Sequence, residues 1–70
     1  MFIKIQNTIF NANKIVSITL NPPHYNQPRP TIVVRTSLPN GISQETVFAY
    51  ENEEQANQDF ENIQRVLFHD

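Results

Sequence analysis

The sequence predicts an α+β fold: an antiparallel sheet of three long and one or two short strands, with one C-terminal helix packed on one face. Three features carry that expectation. Several stretches before residue 51 alternate apolar and polar side chains, the period of a strand whose residues point to opposite faces in turn. Two of those stretches flank Pro39-Asn40-Gly41, a hairpin signal because Asn-Gly tolerates the positive φ of tight turns. Beyond Asn52 the apolar spacing changes to four-three-four, the stripe of an amphipathic helix, and no proline or glycine interrupts Glu53–Phe68.

Met1–Gln6 sets Met1, Ile3 and Ile5 on one side of a strand and Phe2, Lys4 and Gln6 on the other, and Gln6-Asn7-Thr8 reads as its turn. Ile9–Asn11 has the length of a short strand returning beside the first. Asparagine side chains bond nearby backbone, so Asn11–Lys14 reads as a turn or a single helical turn. Ile15–Leu20 is a clearer strand, with Val16, Ile18 and Leu20 expected on one face and Ser17 and Thr19 on the other. Asn21–Pro30 holds prolines at 22, 23, 28 and 30. Proline donates no ladder hydrogen bond and fixes its own φ, which predicts a stiff, partly extended loop.

Thr31–Leu38 resumes the alternation, with Ile32, Val34, Thr36 and Leu38 facing one way and Thr31, Val33, Arg35 and Ser37 the other. The phase of Ile42–Tyr50 stays open, since Phe48 and Tyr50 argue for one face and Val47 and Ala49 for the other. Asn52 is placed to cap the helix, with Gln55 at the spacing of a capping box. Glu53 and Glu54 fall in the first turn, where the helix dipole favours negative charge. Ala56, Phe60, Ile63 and Leu67 form the apolar stripe; on the far face Glu61 and Arg65 are spaced for an ion pair. The expected wall beneath the helix is Ile3, Ile5, Val16, Ile18, Ile32 and Val34, with Phe48.

Composition narrows the function. Seventy residues make a single domain, 1–70, and Leu, Ile, Val and Phe supply 21 of them. That share is above the ~20% below which chains tend to stay disordered. The absence of cysteine removes disulfides, thiolate metal ligands and thiol nucleophiles, and a single glycine removes glycine-rich phosphate loops. Five basic residues against seven acidic ones are not the footprint of a dedicated nucleic-acid binder. Lys4 interrupts the apolar run a secretory leader needs, and no stretch reaches the ~20 apolar residues of a membrane span. With no cysteine and no Asn-x-Ser/Thr sequon, the expected address is cytoplasmic and no membrane partner is expected. Nine asparagines and six glutamines are scattered, as polar surface would have them.

No catalytic, cofactor or metal site stands out. His24 and His69 have no second imidazole or thiolate nearby to build a ligand set. Glu51, Glu53 and Glu54 have a sufficient cause in the helix dipole, and Asp59 does not complete a hard-cation shell with them. Ser17, Ser37 and Ser43 lack a base and an orienting partner at any suggestive spacing. The chain is therefore expected not to be an enzyme.

Three candidate contact surfaces remain. His24, Tyr25, Gln27 and Arg29 put an aromatic, a cation and amides on the proline loop, residue types that anchor interfaces, against the plainer alternative of a polar hairpin tip. Phe2, Val33, Val47 and Ala49 fall on the expected outer sheet face. A cysteine-free core of this size rarely supplies more than ~3–5 kcal/mol, so pairing of these faces into a homodimer is expected. Lys4 and Arg35 share that expected face and, with Lys14 and Arg29, are the candidate contacts for single-stranded nucleic acid in the alternative reading.

The stretch Ile9–Val16, followed by a β pair around Asn40-Gly41 and an acid-capped terminal helix, resembles small bacterial proteins of the FlbD type. That resemblance implies a non-enzymatic regulatory protein; the proline loop departs from it, as does the lack of an early Asn-Gly hairpin. The order of strands and helix is also similar to PC4-like single-strand-binding domains, which implies a dimer whose sheet meets DNA. Those domains imply a basic strand face, against the acidic balance of this chain. The leading expectation is a homodimeric protein-interaction or regulatory module with an unidentified protein partner. Single-strand binding across the outer sheet is the alternative.

Overall fold

The computed structural model describes residues 1–68 and realises the expected class: five antiparallel strands in two sheets, with one C-terminal helix packed against them. The strands are β1 (Phe2–Ile5), β2 (Thr8–Asn11), β3 (Ile15–Asn21), β4 (Thr31–Ser37) and β5 (Ser43–Ala49); the helix α1 spans Glu53–Leu67. The short strands pair with each other, and the long ones form a separate sheet in the order β3-β4-β5. The short pair stands apart because Gln6 and Asn7 fold β2 straight back along β1, with Gln6 taking the positive φ (52°) that such a turn needs.

This hairpin and the helix together cover one face of the long sheet. Phe10 of β2 meets Phe48 of β5 edge to face at 5.9 Å, and the Gln6 side-chain amide donates to the Ala49 carbonyl at 2.9 Å. The helix packs against β1, β3 and β4. Ile3 and Ile5 from the hairpin, Ile32, Val34, Phe48 and Tyr50 from the sheet side, and Ala56 and Ile63 from the helix are buried together. Phe60 and Leu67 complete the helix stripe half-buried. Asn52 caps the helix as expected, its Oδ1 accepting from the Gln55 N–H at 2.9 Å.

Two local expectations need correction. Val16 is not in the wall: pairing passes from Ile15–Thr36 to Ser17–Arg35, so Val16 is the extra residue of a bulge and lies 61% exposed. A bulge shifts the alternation by one, and Ile15 packs against the core instead. The expected hairpin is formed as a three-residue turn over Pro39, Asn40 and Gly41, closed by Gly41 N–H to the Leu38 carbonyl at 3.0 Å. Only Gly41 there has positive φ (84°), while Asn40 Oδ1 accepts from the Ile42 N–H at 3.1 Å. On the helix, Arg65 donates to Asn62 at 3.4 Å in place of the expected Glu61 pair. The open phase of Ile42–Tyr50 is decided by Phe48 and Tyr50, which point into the core and leave Val47 and Ala49 exposed.

Candidate functional site

The face of the long sheet opposite the helix follows from alternation and register. Thr19, Val33 and Val47 form one row across it, and Ser17, Arg35 and Glu45 the next. Val33 is half-buried between its neighbours, and Val47 on the edge strand is 59% exposed. Ala49 is exposed beside Thr31, an outward-facing threonine that is nevertheless buried. Arg35 and Glu45 are direct cross-strand partners joined at 2.5 Å. Val33, Val47 and Ala49 of the expected dimer face are thus brought together, but Phe2 is not among them. Phe2 and Lys4 belong to the hairpin, where Phe2 is 72% exposed and Ile9, opposite Lys4, is 67% exposed. The division arises because β1 and β2 form their own sheet, and strand pairing placed Ile9 at the surface without any mark in its local sequence.

The proline loop is more ordered than an extended connection. His24 and Gln27 exchange backbone hydrogen bonds at 2.8 and 3.0 Å, closing a tight turn with Tyr25 and Asn26 at its tip. His24 Nδ1 accepts from the Asn26 N–H at 3.2 Å, which puts the proton of the neutral ring on Nε2. Tyr25 is almost fully exposed, its ring edge-on to His24. Arg29 leaves this group: its Nε donates to the Tyr50 carbonyl at 3.1 Å and its guanidinium lies 3.5 Å from Glu51.

The candidate cations are dispersed. Lys4 is on β1, Lys14 ends the 3-10 turn Ala12–Lys14, Arg29 is at the base of the loop and Arg35 is on β4. Both arginines are held by carboxylates, which cancels much of the field a phosphate chain would feel.

A further polar contact was not anticipated. The Tyr50 hydroxyl donates to Asp59 Oδ2 at 2.5 Å, joining the end of the sheet to the second turn of the helix. Burial first, and the Asp59 carboxylate second, push the Tyr50 phenol above its ordinary value. The sequence signal was an aromatic next to Glu51 and an acid nine residues on, too common to single out. Beside this contact lies a shallow depression of about 270 Å³ lined by Tyr50, Gln55, Gln58, Asp59 and Asn62. Glu53 and Glu54 occupy the first helical turn, exposed. Ser37 donates to the Lys14 carbonyl at 3.5 Å, and Ser17 and Ser43 lie exposed on their strands. Among the described residues no cluster of histidines and carboxylates could hold a metal ion; His69 lies outside them. Among the same residues, no helix is long and apolar enough to cross a membrane.

Compared with protein-family models, curated proteins and solved structures, the chain finds no match.

Proposed function

We propose that this chain is a non-catalytic protein-interaction module that works as a homodimer, pairing on the Val47 side of its long sheet. The observation that supports this is Val47, more than half exposed beside Val33 on a sheet face that neither the hairpin nor the helix covers. Arg35 and Glu45 next to that row give the surface both signs of charge, which is compatible with the self-complementarity of a two-fold interface between identical copies. The thin core supplies the motive: burying further apolar surface at ~25 cal/mol per Å² adds directly to a stability of a few kcal/mol. The Tyr25 turn, almost fully exposed at its tip, is the contact for a different protein, held by its prolines and reciprocal hydrogen bonds.

Solution mass by light scattering on a sizing column, followed across dilution, tests the reading. A dimer that dissociates on dilution is expected, and a monomer at every concentration refutes it. Titration with a single-stranded oligonucleotide at ~50 mM salt is expected to give no binding. Tight binding that weakens steeply with added salt would instead favour single-strand recognition through Lys4, Lys14 and the arginines.

A further inference from the structure

Resting on the homodimer reading, we infer that two copies join edge to edge through β5, in an antiparallel β5–β5 pairing that continues one long sheet into the other. With β4 in the middle, the long sheet has two free edges, β3 and β5. The backbone groups on each edge follow from the ladder. The Leu38 N–H donates to the Ile42 carbonyl and the Tyr50 N–H to the Pro30 carbonyl, so the pairs at both ends of the β4–β5 ladder are hydrogen-bonded ones. Hydrogen-bonded and non-hydrogen-bonded pairs alternate along an antiparallel ladder. Counting inward from either end, Gln44, Thr46 and Phe48 bond to β4, whereas Ser43, Glu45, Val47 and Ala49 turn their N–H and C=O groups away from it. The Gln6 amide, which reaches the Ala49 carbonyl from outside the long sheet, agrees with that count.

The two edges are protected very differently. β3 carries a bulge at Val16, with Lys14 just before it and Pro22-Pro23 just after it, three devices that hinder strand addition. β5 runs in unbroken register for seven residues and holds no proline, lysine or bulge. Gln6 closes its last carbonyl, which leaves the backbone of Ser43, Glu45 and Val47 open. The single charge on this edge, Glu45, is already held by Arg35.

Charge also excludes one register. Self-pairing centred on Glu45 sets two carboxylates directly opposite, which is destabilising. A two-fold axis at Thr46 sets Glu45 opposite Val47 of the second copy, so both pairs exchange N–H and C=O groups with no like charges opposed. The two Val47 side chains then lie diagonal to each other on the outer face.

Proline scanning separates edge from face. Glu45→Pro removes an N–H that points away from β4, a position where an edge strand accepts proline. It is expected to keep the circular dichroism of the parent and halve the solution mass. Glu45→Gln and Val33→Glu, the second altering the face but not the edge, are expected to remain dimeric. As a readout independent of any variant, the Glu45 and Val47 amides are expected to exchange hydrogen at least about tenfold more slowly in the dimer than in dilute monomer. A monomeric parent chain sinks the homodimer reading and this pairing with it. A dimer that survives a folded Glu45→Pro, that Val33→Glu breaks, or whose Glu45 and Val47 amides gain no protection, leaves the homodimer standing and overturns the edge pairing.

Discussion

Replacing Tyr50 with phenylalanine keeps the ring in the core and removes one hydroxyl. That hydroxyl donates to the Asp59 carboxylate at 2.5 Å, and a hydrogen bond to a charged group contributes ~1.5–3 kcal/mol. Asp59 is half-buried and water reaches it once the phenol is gone, so the lower end of that range, about 1.5 kcal/mol at pH 7, is expected. The effect must then shrink with alkali. In the unfolded chain a tyrosine ionises near ~10. In the folded chain burial and Asp59 hold Tyr50 protonated beyond that value. Above pH ~10 the unfolded state therefore releases a proton that the folded state keeps, and the parent loses about 1.4 kcal/mol per further pH unit. The stabilisation is fully present below pH ~10 and declines as pH rises. The phenylalanine variant has no such group, so the difference between the two chains isolates the Tyr50 hydroxyl. Urea unfolding followed by far-UV circular dichroism suits a chain without tryptophan. The gap between parent and variant should be ~1.5 kcal/mol from pH 7 to 9 and close near pH 11. A gap that is constant to pH 11 would mean that Tyr50 ionises as freely folded as unfolded, and the buried phenol–carboxylate contact would be wrong.

Phe48→Ala should cost ~3–5 kcal/mol and bring the chain close to unfolding, since Phe48 is buried and receives Phe10 edge-on, whereas half-buried Phe60→Ala should cost clearly less; equal losses in urea would place the helix stripe deeper than described. Val16→Ala should change stability by less than ~0.5 kcal/mol, against roughly 2 kcal/mol for Val34→Ala, because the bulge turns Val16 to solvent; a large Val16 effect would restore it to the wall. Gly41→Ala should cost ~1–2 kcal/mol from its positive φ alone, because nothing lies within 4 Å of an added Cβ; a neutral result would mean that the turn relaxes to another type. Asn52→Ala should cost ~1 kcal/mol through the lost bond to the Gln55 N–H, seen as a lower melting temperature.

Much of the fold was legible where the signal is local. The helix, its cap and its stripe follow from spacings of three and four along one element, and the chain needs no distant contact to specify them. The alternation in β4 likewise separated Ile32 and Val34 from Val33 and Arg35 correctly. In β3 the same rule misplaced Val16, because a bulge depends on how two strands register and alternation cannot reveal the extra residue. The candidate site was legible in parts for the same reason. Val47 and Glu45 could be assigned to one face once Phe48 was fixed in the core, but that they neighbour Val33 and Arg35 is a matter of pairing. His24, Tyr25 and Gln27 were recognised as a group from adjacency, whereas the departure of Arg29 toward Tyr50 and Glu51 depends on where the far end of β5 comes to rest.

The class of the domain, the helix, and the exclusions that follow from having no cysteine and one glycine came from composition and short-range periodicity, which are properties of the chain alone. Tertiary structure decided the separation of the two sheets, the exposure of Val16 and Phe2, the Tyr50–Asp59 contact and the difference between the β3 and β5 edges. Each of those depends on which segments lie side by side after the chain has closed its loops, and hydrogen-bond register between distant strands is written in no single stretch of residues.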